Sequence, residues 1–242
     1  MTTYRTMIDP ARLAAIALFS AKNDCRYYLN GVCVEWLPNG RAILIATDGH
    51  RLGCMPATTE EPEYQAPPKF VNQVVLKLDA VQAAVKAHKH DSSWMIEMLF
   101  DDCAEVGARE KVGLMAHDMN WSRVGIDGRF PDWRRLVKLD GAESDKDTVA
   151  APIGFNAEYM ATFHKAAKLI AGTSTRYSMV AVKTWTPDMQ IRVKLPMSPD
   201  FFGVVMPMRL DPGQQSCELP AWFTRRYEAP AAKPARTDRK PK

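Results

Sequence analysis

The sequence of 242 residues contains no uninterrupted apolar run of the roughly 18 residues that a membrane-spanning helix needs. Its opening residues, MTTYRTMIDPAR, also lack the basic-then-apolar pattern of a secretory signal peptide. We therefore expect a soluble protein that functions in the cytoplasm.

The sequence has no pattern of paired cysteines. The five cysteines are widely spaced and include no Cys-x-x-Cys pair, which fits neither a disulfide framework nor a zinc site. His88 and His90 would lie on different faces of a helix, with no suitably spaced cysteine or carboxylate nearby. We expect no metal and no cofactor, and reduced thiols that pack mostly in the core. The cysteines are Cys25, Cys33, Cys54, Cys103 and Cys217.

The sequence contains no phosphate-binding loop and no nucleophilic triad. Asp48 and His50 could be mistaken for a catalytic pair, but no nucleophile or second base lies near them in sequence, and Gly49 between them indicates a turn. The sequence therefore predicts a binding protein rather than an enzyme.

Positive charge is concentrated at one end of the chain. The formal net charge is +4, but residues 224–242 hold seven cations and two carboxylates, so residues 1–223 carry −1 in total. A nearly neutral body cannot bind nucleic acid through its bulk charge. Any such binding would need cations gathered on one surface.

Three segments each begin with a helix signal, and short strand-like runs follow it, an order typical of a repeated module. Asp9 with Pro10 predicts the start of the first helix, over RLAAIALFSA. Asp79 is the predicted N-cap of the second helix, over AVQAAVKAHKH. Asn156 is that of the third, over AEYMATFHKAAKLIAG, which ends at Gly172.

Short alternating runs predict many strands, so the fold class is α+β. In the first segment the runs are YYLNGVCVEWL and RAILIATDG, separated by the turn signal Pro38-Asn39-Gly40. In the second they are VNQVVLKL before the helix and SWMIEMLF, EVGA, KVGLMAH and SRVGI after it, and in the third SMVAVKTW, MQIRVKL and FFGVVMPM.

Composition suggests the domain boundaries. We expect a two-module domain over residues 1–138, a polar linker over 139–149 and a single module over 150–210. Residues 211–242 are rich in proline and cations and cannot bury enough apolar surface to fold alone.

Four strings identify a family resemblance. They are DCRYYLNG at residues 24–31, ATDGHRL at 46–52, DGRFPDWRRL at 127–136 and VVMPMRL at 204–210, with GFN at 154–156 in the expected place before the last. Together, and in this order, they resemble the bacterial DNA polymerase III beta subunit, the beta sliding clamp. The resemblance covers most of residues 1–210.

The resemblance implies a DNA clamp fold of three βαβββ-type modules, with helices on one face and antiparallel sheets on the other. It implies a processivity factor that surrounds or embraces double-stranded DNA without reading its sequence. It also implies a cleft that binds peptides of DNA polymerase and of the clamp loader.

The family chain has six modules in three domains, and the match here begins at the family's middle domain and omits the first half of its third. Four copies of a three-module chain would supply the twelve modules of a ring, so we expect a homo-oligomer and hypothesise a tetramer. An open clamp, a mixed ring with a full-length clamp chain, and a regulatory or decoy protein that forms no ring are the alternatives.

The resemblance assigns a peptide-binding cleft between the two halves of the match. Lys138 stands where the family has a proline, and read without the family the cleft residues would be ordinary turn and strand residues. The residues that match the cleft are Leu29, Thr47, Gly49, His50, Arg51, Leu52, Tyr159, Val204, Met206, Pro207, Met208 and Arg209.

The resemblance also assigns the cations of the three predicted helices to DNA contact, although such cations are more often a solvated helix face. Flexible side-chain charges suit a loose, sequence-independent contact with phosphates. The residues are Arg12, Lys22 and Arg26 at the first helix, Lys86 and Lys89 at the second, and Lys165 and Lys168 on the third.

The segment after residue 210 carries a further hypothesis. Its glutamines at 214 and 215 and the later Leu219, Trp222 and Phe223 loosely match the order of a clamp-binding peptide. This segment could therefore compete with incoming peptides for a cleft, while its cations could attract nucleic acid or merely keep the chain soluble.

Overall fold

The computed structural model describes residues 2–59, 68–69, 71–88, 95–102, 111–116, 119–136, 153–172, 179–183 and 190–211. The chain divides into two units, Met1–Arg209 and Leu210–Lys242, and only residues 210 and 211 of the second are described. Within these ranges no helix is long and apolar enough to span a bilayer.

The described residues contain three α-helices, one in each predicted module. Asp9 caps the first by accepting from the backbone N–H of Ala11 at 2.8 Å, and Asn156 caps the third by accepting from that of Glu158 at 2.9 Å. Gly172, with φ of 77°, ends the third helix, so these predicted boundaries are confirmed. The helices are α1 (Pro10–Ala17), α2 (Leu78–His88) and α3 (Ala157–Ala171).

The predicted N-cap of α2 is wrong by a small margin. The helix begins at Leu78, so Asp79 lies inside the first turn, where its carboxylate accepts from the backbone N–H of Ala80 at 2.8 Å. An acidic residue in the first turn is still favourable, because it faces the positive end of the helix dipole.

The strands agree with most of the predicted runs, with three differences. The part of YYLNGVCVEWL before Gly31 contains a 3-10 turn at Tyr27–Leu29, and neither β1 nor β8 was predicted. EVGA lies outside the described residues. The strands are β1 (Thr2–Ile8), β2 (Gly31–Trp36), β3 (Ala42–Thr47), β4 (Arg51–Pro56), β5 (Gln73–Lys77), β6 (Ile96–Asp102), β7 (Val112–Ala116), β8 (Met119–Trp121), β9 (Gly125–Ile126), β10 (Ala181–Lys183), β11 (Ile191–Leu195) and β12 (Ser198–Val205).

The strands form two antiparallel sheets, ordered β1-β6-β7-β8 and β10-β11-β12-β4-β3-β2-β5-β9. The first two modules exchange their leading strands, because β1 pairs with β6 and β5 pairs with β2. Each sheet therefore contains strands from both modules, which ties the two modules into one body.

The third module continues the sheet of the first. β12 pairs with β4, and this β4–β12 seam sets Gly203 opposite Gly53 and Phe202 opposite Cys54. The linker expected at residues 139–149 lies outside the described residues. The segments that it was expected to separate share one eight-stranded sheet.

The middle strands β2, β3 and β5 of the eight-stranded sheet are buried on both faces, and successive side chains of a strand point in opposite directions. Val32 and Val34 join the large core beneath the helices, whereas Cys33 between them joins a second apolar cluster on the opposite face. Leu44 and Ile45 divide in the same way. This double burial explains why the strands are nearly continuous apolar runs in the sequence.

Three phenylalanine rings pack beneath the β4–β12 seam. The centroid of Phe163 on α3 lies 5.0 Å from that of Phe19 and 6.2 Å from that of Phe201. A Cβ on Gly53 would come within 2.6 Å of the Phe19 ring, and one on Gly203 would collide with the Phe163 ring. The paired glycines therefore make room for the rings that join α3 to the first module.

Candidate functional site

The β4–β12 seam brings the two halves of the predicted cleft together. Leu52 lies opposite Val204 and Arg51 opposite Val205. Beyond the paired residues, the backbone N–H of Met206 donates to the carbonyl of His50 at 2.8 Å. The strings ATDGHRL and VVMPMRL are more than 150 residues apart in sequence, and they lie side by side in the fold.

The turn between β3 and β4 satisfies its own polar groups. The Thr47 hydroxyl donates to the carbonyl of Arg51 at 2.7 Å and accepts from the N–H of Gly49, whose φ is 90°. Asp48 Oδ1 accepts from the N–H groups of His50 and Arg51 at 2.9 and 3.0 Å. The polar residues of this string therefore shape a turn, and Asp48 uses its carboxylate as a cap rather than as a partner of the His50 ring.

The loop between α1 and β2 packs against this turn. Arg26 donates to Asp24 from Nε at 3.0 Å and from Nη2 at 2.7 Å, and Nη2 lies 3.4 Å from the carbonyl of Asp48. The side-chain and backbone hydrogen bonds from Arg26 hold the pKa of Asp24 well below its usual range, and the pKa of Arg26 is raised in turn by the same pair. Asn30 bonds to both the N–H and the carbonyl of Asp24.

Arg51 joins the turn to α3. Its guanidinium carbon lies 5.0 Å from the centroid of the Tyr159 ring, and its Nε lies 3.1 Å from Asp48 Oδ2. Its Nη1 donates to the hydroxyl of Thr162. The centroids of His50 and Tyr159 are 5.7 Å apart, so the Tyr159 ring lies beside both His50 and Arg51.

The predicted cleft has a buried floor and an exposed rim. Leu29, Leu52 and Val204 are only 1–2% exposed and share the second apolar cluster with Phe130. Only the rim is open to solvent in this conformation. Its exposed members are Gly49, His50, Met206 (39%), Met208 (54%) and Arg209, with Pro207 half-buried.

The string DGRFPDWRRL packs against the outer side of the sheet. Trp133 Nε1 donates to Glu35 Oε2 at 3.0 Å, and Arg134 Nη1 lies 2.6 Å from Glu35 Oε1 while its guanidinium covers the Trp133 ring. Cys54 belongs to the second apolar cluster. Its burial, with a smaller contribution from Glu35, raises the pKa of the Cys54 thiol to about 12. This string therefore closes the second apolar cluster, and Lys138 beyond it lies outside the described residues.

On the opposite side, the three helices border a groove of about 880 Å³. Lys22, Lys86 and Lys165, one at each helix, line this groove and are exposed. Lys168 is also exposed on α3, and Lys89 lies outside the described residues. Three of the cations predicted to contact DNA thus lie on one surface.

Arg12 does not belong to that surface. It is 5% exposed, and its Nη1 lies 2.6 Å from Asp200 Oδ2 and 3.2 Å from the carbonyl of Pro56. The prediction of DNA contact is corrected here, because a buried guanidinium already paired with a carboxylate is not available to a phosphate. Arg26 is also paired, with Asp24, and lies against the β3–β4 turn.

No family model matches the chain. The beta sliding clamp of Pseudomonas aeruginosa is 26% identical over 140 residues, which are 57% of this chain and 32% of that one. The beta sliding clamp of Salmonella typhimurium is 30% identical over 133 residues, 52% of this chain and 31% of that one. The chain thus spans about a third of the length of the curated relatives it matches.

Solved structures extend the match. Pol III beta of Caulobacter crescentus superposes with a TM-score of 0.66 at 20% identity, over 87% of this chain and 68% of that one. The chain has the sliding-clamp fold. The Pseudomonas aeruginosa clamp agrees, with a TM-score of 0.62 at 17% identity over 85% of this chain and 66% of that one. The resemblance to the beta sliding clamp and the α+β clamp fold are therefore confirmed.

One exposed residue next to the predicted rim was missed. Phe155 is 45% exposed, and the preceding Gly154 accepts at its carbonyl from the N–H of Met208 at 2.8 Å. The sequence marked GFN as part of the clamp pattern without assigning its phenylalanine a role. Its exposure depends on how the segment before α3 meets the MPMRL string, which local sequence does not show. Phe155 is therefore an exposed apolar residue that directly follows the backbone partner of Met208.

Proposed function

We propose that this protein is a sliding-clamp-like processivity factor, which embraces duplex DNA with its helix face and holds polymerase and clamp-loader peptides at the cleft. The observation that carries the proposal is the β4–β12 seam, where the N–H of Met206 bonds to the carbonyl of His50. This contact and the pairing of Leu52 with Val204 and of Arg51 with Val205 join the two strings that the clamp family uses for one cleft. The protein works by binding, without catalysis of its own.

The rim of the cleft suits an extended peptide with apolar anchors. Met206 and Met208 are exposed and flexible, so they can adapt to different side chains. The ring of Tyr159 and the positive charge of Arg209 are both available to contact polar groups of the peptide. Because Leu29 and its neighbours in the floor are buried, the peptide engages this rim first.

The helix face suits loose contact with DNA. Lys22, Lys86, Lys165 and Lys168 are exposed on elements that share one side of the sheet. Ammonium groups on long stems contact phosphates without reading bases, which permits movement along the duplex. Arg12 and Arg26 stabilise the fold instead, because Arg12 forms an ion pair with Asp200 and Arg26 forms one with Asp24.

The edges of the two sheets suit assembly with further copies. β10 and β8 end their sheets among the described residues, and strands at an edge can pair with another chain. Val182 on β10 is 54% exposed, Met179 before it is 64% exposed, and Met119 on β8 is 53% exposed. Because β10 and β8 are different edges, contact between β10 of one copy and β8 of the next would be head-to-tail, which favours a ring. Four copies of three modules each would supply twelve modules.

Peptide binding is tested most simply at the exposed methionines. A fluorescein-labelled polymerase peptide with a glutamine and apolar anchors is titrated with protein and followed by fluorescence anisotropy. Met206→Ala and Met208→Ala should each raise Kd about tenfold, as expected for an anchor residue at an interface.

The matched control is Met197→Ala, since Met197 is 59% exposed in the turn between β11 and β12. It should bind the peptide as the unchanged protein does. Equal Kd values for all three variants, or no binding by the unchanged protein, would remove the cleft from the proposal. A monomer that binds the peptide and inhibits primer extension would identify a regulatory or decoy protein instead.

A further inference from the structure

The groove between the helices has an apolar floor that contact with DNA does not explain. This floor consists of the apolar lining residues: Ala14 and Ala17 of α1, Val81 and Val85 of α2, and Leu169 of α3, which is 40% exposed. A volume of about 880 Å³ is within the range of specific binding sites. Duplex DNA presents sugars and phosphates, so it would contact the charged rim and leave this floor uncovered.

The rim of the groove is positive. Lys22, Lys86 and Lys165 stand around it, and no carboxylate of the described residues forms an ion pair with any of them. The two carboxylates that line the groove are already engaged, Asp24 by Arg26 and Asp48 by Arg51. An apolar floor inside a positive rim is complementary to an apolar stripe flanked by negative charge.

We propose that this groove binds an acidic amphipathic helix of a partner protein. The lining comes from the three helices, the segment that follows α1 and the β3–β4 turn, and it includes no open strand edge. An extended peptide would find few backbone partners there, whereas a helix pairs its own N–H and C=O groups. Alanines at the base let a fourth helix approach to the usual packing distance of about 8–10 Å.

The same lysines belong to the proposed DNA face, so the helix would exclude DNA from that face. This exclusion rests on the proposed function, but the binding of the helix does not. A partner of this kind would act as a release or inhibitory factor, because carboxylates on its flanks would take the place of phosphates.

The probe is a fluorescein-labelled designed helix of about 18 residues, with leucines at i, i+3, i+4 and i+7 on one face and glutamates elsewhere. The control peptide has the same composition with its leucines distributed around the helix, so its charge is identical. Anisotropy titration should show at least tenfold tighter binding of the amphipathic peptide. Equal binding of both peptides would overturn the proposal, since charge alone would then explain the affinity.

Two sets of variants locate the site. Ala14→Gln with Ala17→Gln fills the floor with neutral side chains of good helix propensity, and it should weaken peptide binding at least tenfold while duplex DNA binding stays unchanged. Lys86→Gln with Lys165→Gln should weaken both. Lys194→Gln, at an exposed lysine of β11 outside the groove lining, is the control and should leave the affinity for the peptide unchanged.

Circular dichroism and thermal unfolding establish that each variant is folded. A folded floor variant that keeps full peptide affinity would overturn the proposal. If the unchanged protein binds the amphipathic peptide at this floor but binds no DNA, the inference stands and the proposed function fails. If the peptide binds there and displaces bound duplex, both stand.

Discussion

Arg51 is the residue at which the cleft and the helix face meet. Its backbone pairs with Val205 at the seam, while its guanidinium covers the Tyr159 ring and donates to Thr162 on α3. It also lines the groove between the helices. Arg51 pairs through its backbone at the seam and contacts α3 through its side chain, so its role is to position α3 relative to the predicted cleft.

Family strings predicted which residues would come together, but they did not predict which would be exposed. Leu29, Leu52 and Val204 were matched to the cleft without a prediction of their exposure, and they are buried with Phe130. Arg12 was expected to face DNA, but it is paired with Asp200, 188 residues away in sequence. Exposure and pairing depend on tertiary contacts, which a local string does not contain.

The Asp24–Arg26 pair makes the support of the turn pH-dependent. The pKa of Asp24 is lowered from its ordinary 3.8, so its stabilising effect is present above that value and is lost as pH falls through the folded pKa. Asp24→Asn should therefore lower the free energy of unfolding at neutral pH, and its difference from the unchanged protein should shrink below about pH 4. Urea unfolding at several pH values measures this.

The control for this prediction is Asp132→Asn, because Asp132 pairs with Arg135 where both side chains are more than half exposed. Such a surface pair contributes little to stability. The same loss of stability in both variants, unaltered by pH, would contradict the role assigned to Asp24.

At the scale of elements, local signals predicted helices better than strand partners. Caps at Asp9 and Asn156 are side-chain contacts within three residues, and both are confirmed. The exchange of β1 and β5 between modules, and the β4–β12 seam, join residues far apart in the chain. Periodicity marks a strand without marking its neighbour, which is why these pairings were not predicted.

The seam depends on the absence of side chains at Gly53 and Gly203. Alanine at either position would push against Phe19 or Phe163, so each change should cost about 1–3 kcal/mol of unfolding free energy, the usual cost of overpacking a core. Urea unfolding gives the value. Phe163→Leu should recover part of the loss caused by Gly203→Ala.

Gly113→Ala is the matched control in another strand, since its Cβ would lie 3.4 Å from the nearest atom, the carbonyl oxygen of Trp121. This change should cost less than either seam variant. A Gly203→Ala protein as stable as the Gly113→Ala protein would show that the ring packing does not require the glycine.

At the scale of the whole molecule, charge on the helix face governs the proposed contact with DNA. Replacing Lys86 or Lys165 by Ala should weaken duplex binding and lower the slope of log K against log salt by roughly one unit per lysine. Lys194→Ala changes an exposed lysine of β11 and serves as the control. A slope that none of the three changes alters would place DNA elsewhere on the surface.

The proposal that copies of this chain surround DNA depends on an assembly through the exposed edges β10 and β8. Single-particle imaging of the purified protein at micromolar concentration tests it most directly. A closed ring with a central hole, built from four copies, is the predicted result. A uniform population of monomers would contradict it and would leave the peptide cleft as the function of a non-ring regulator.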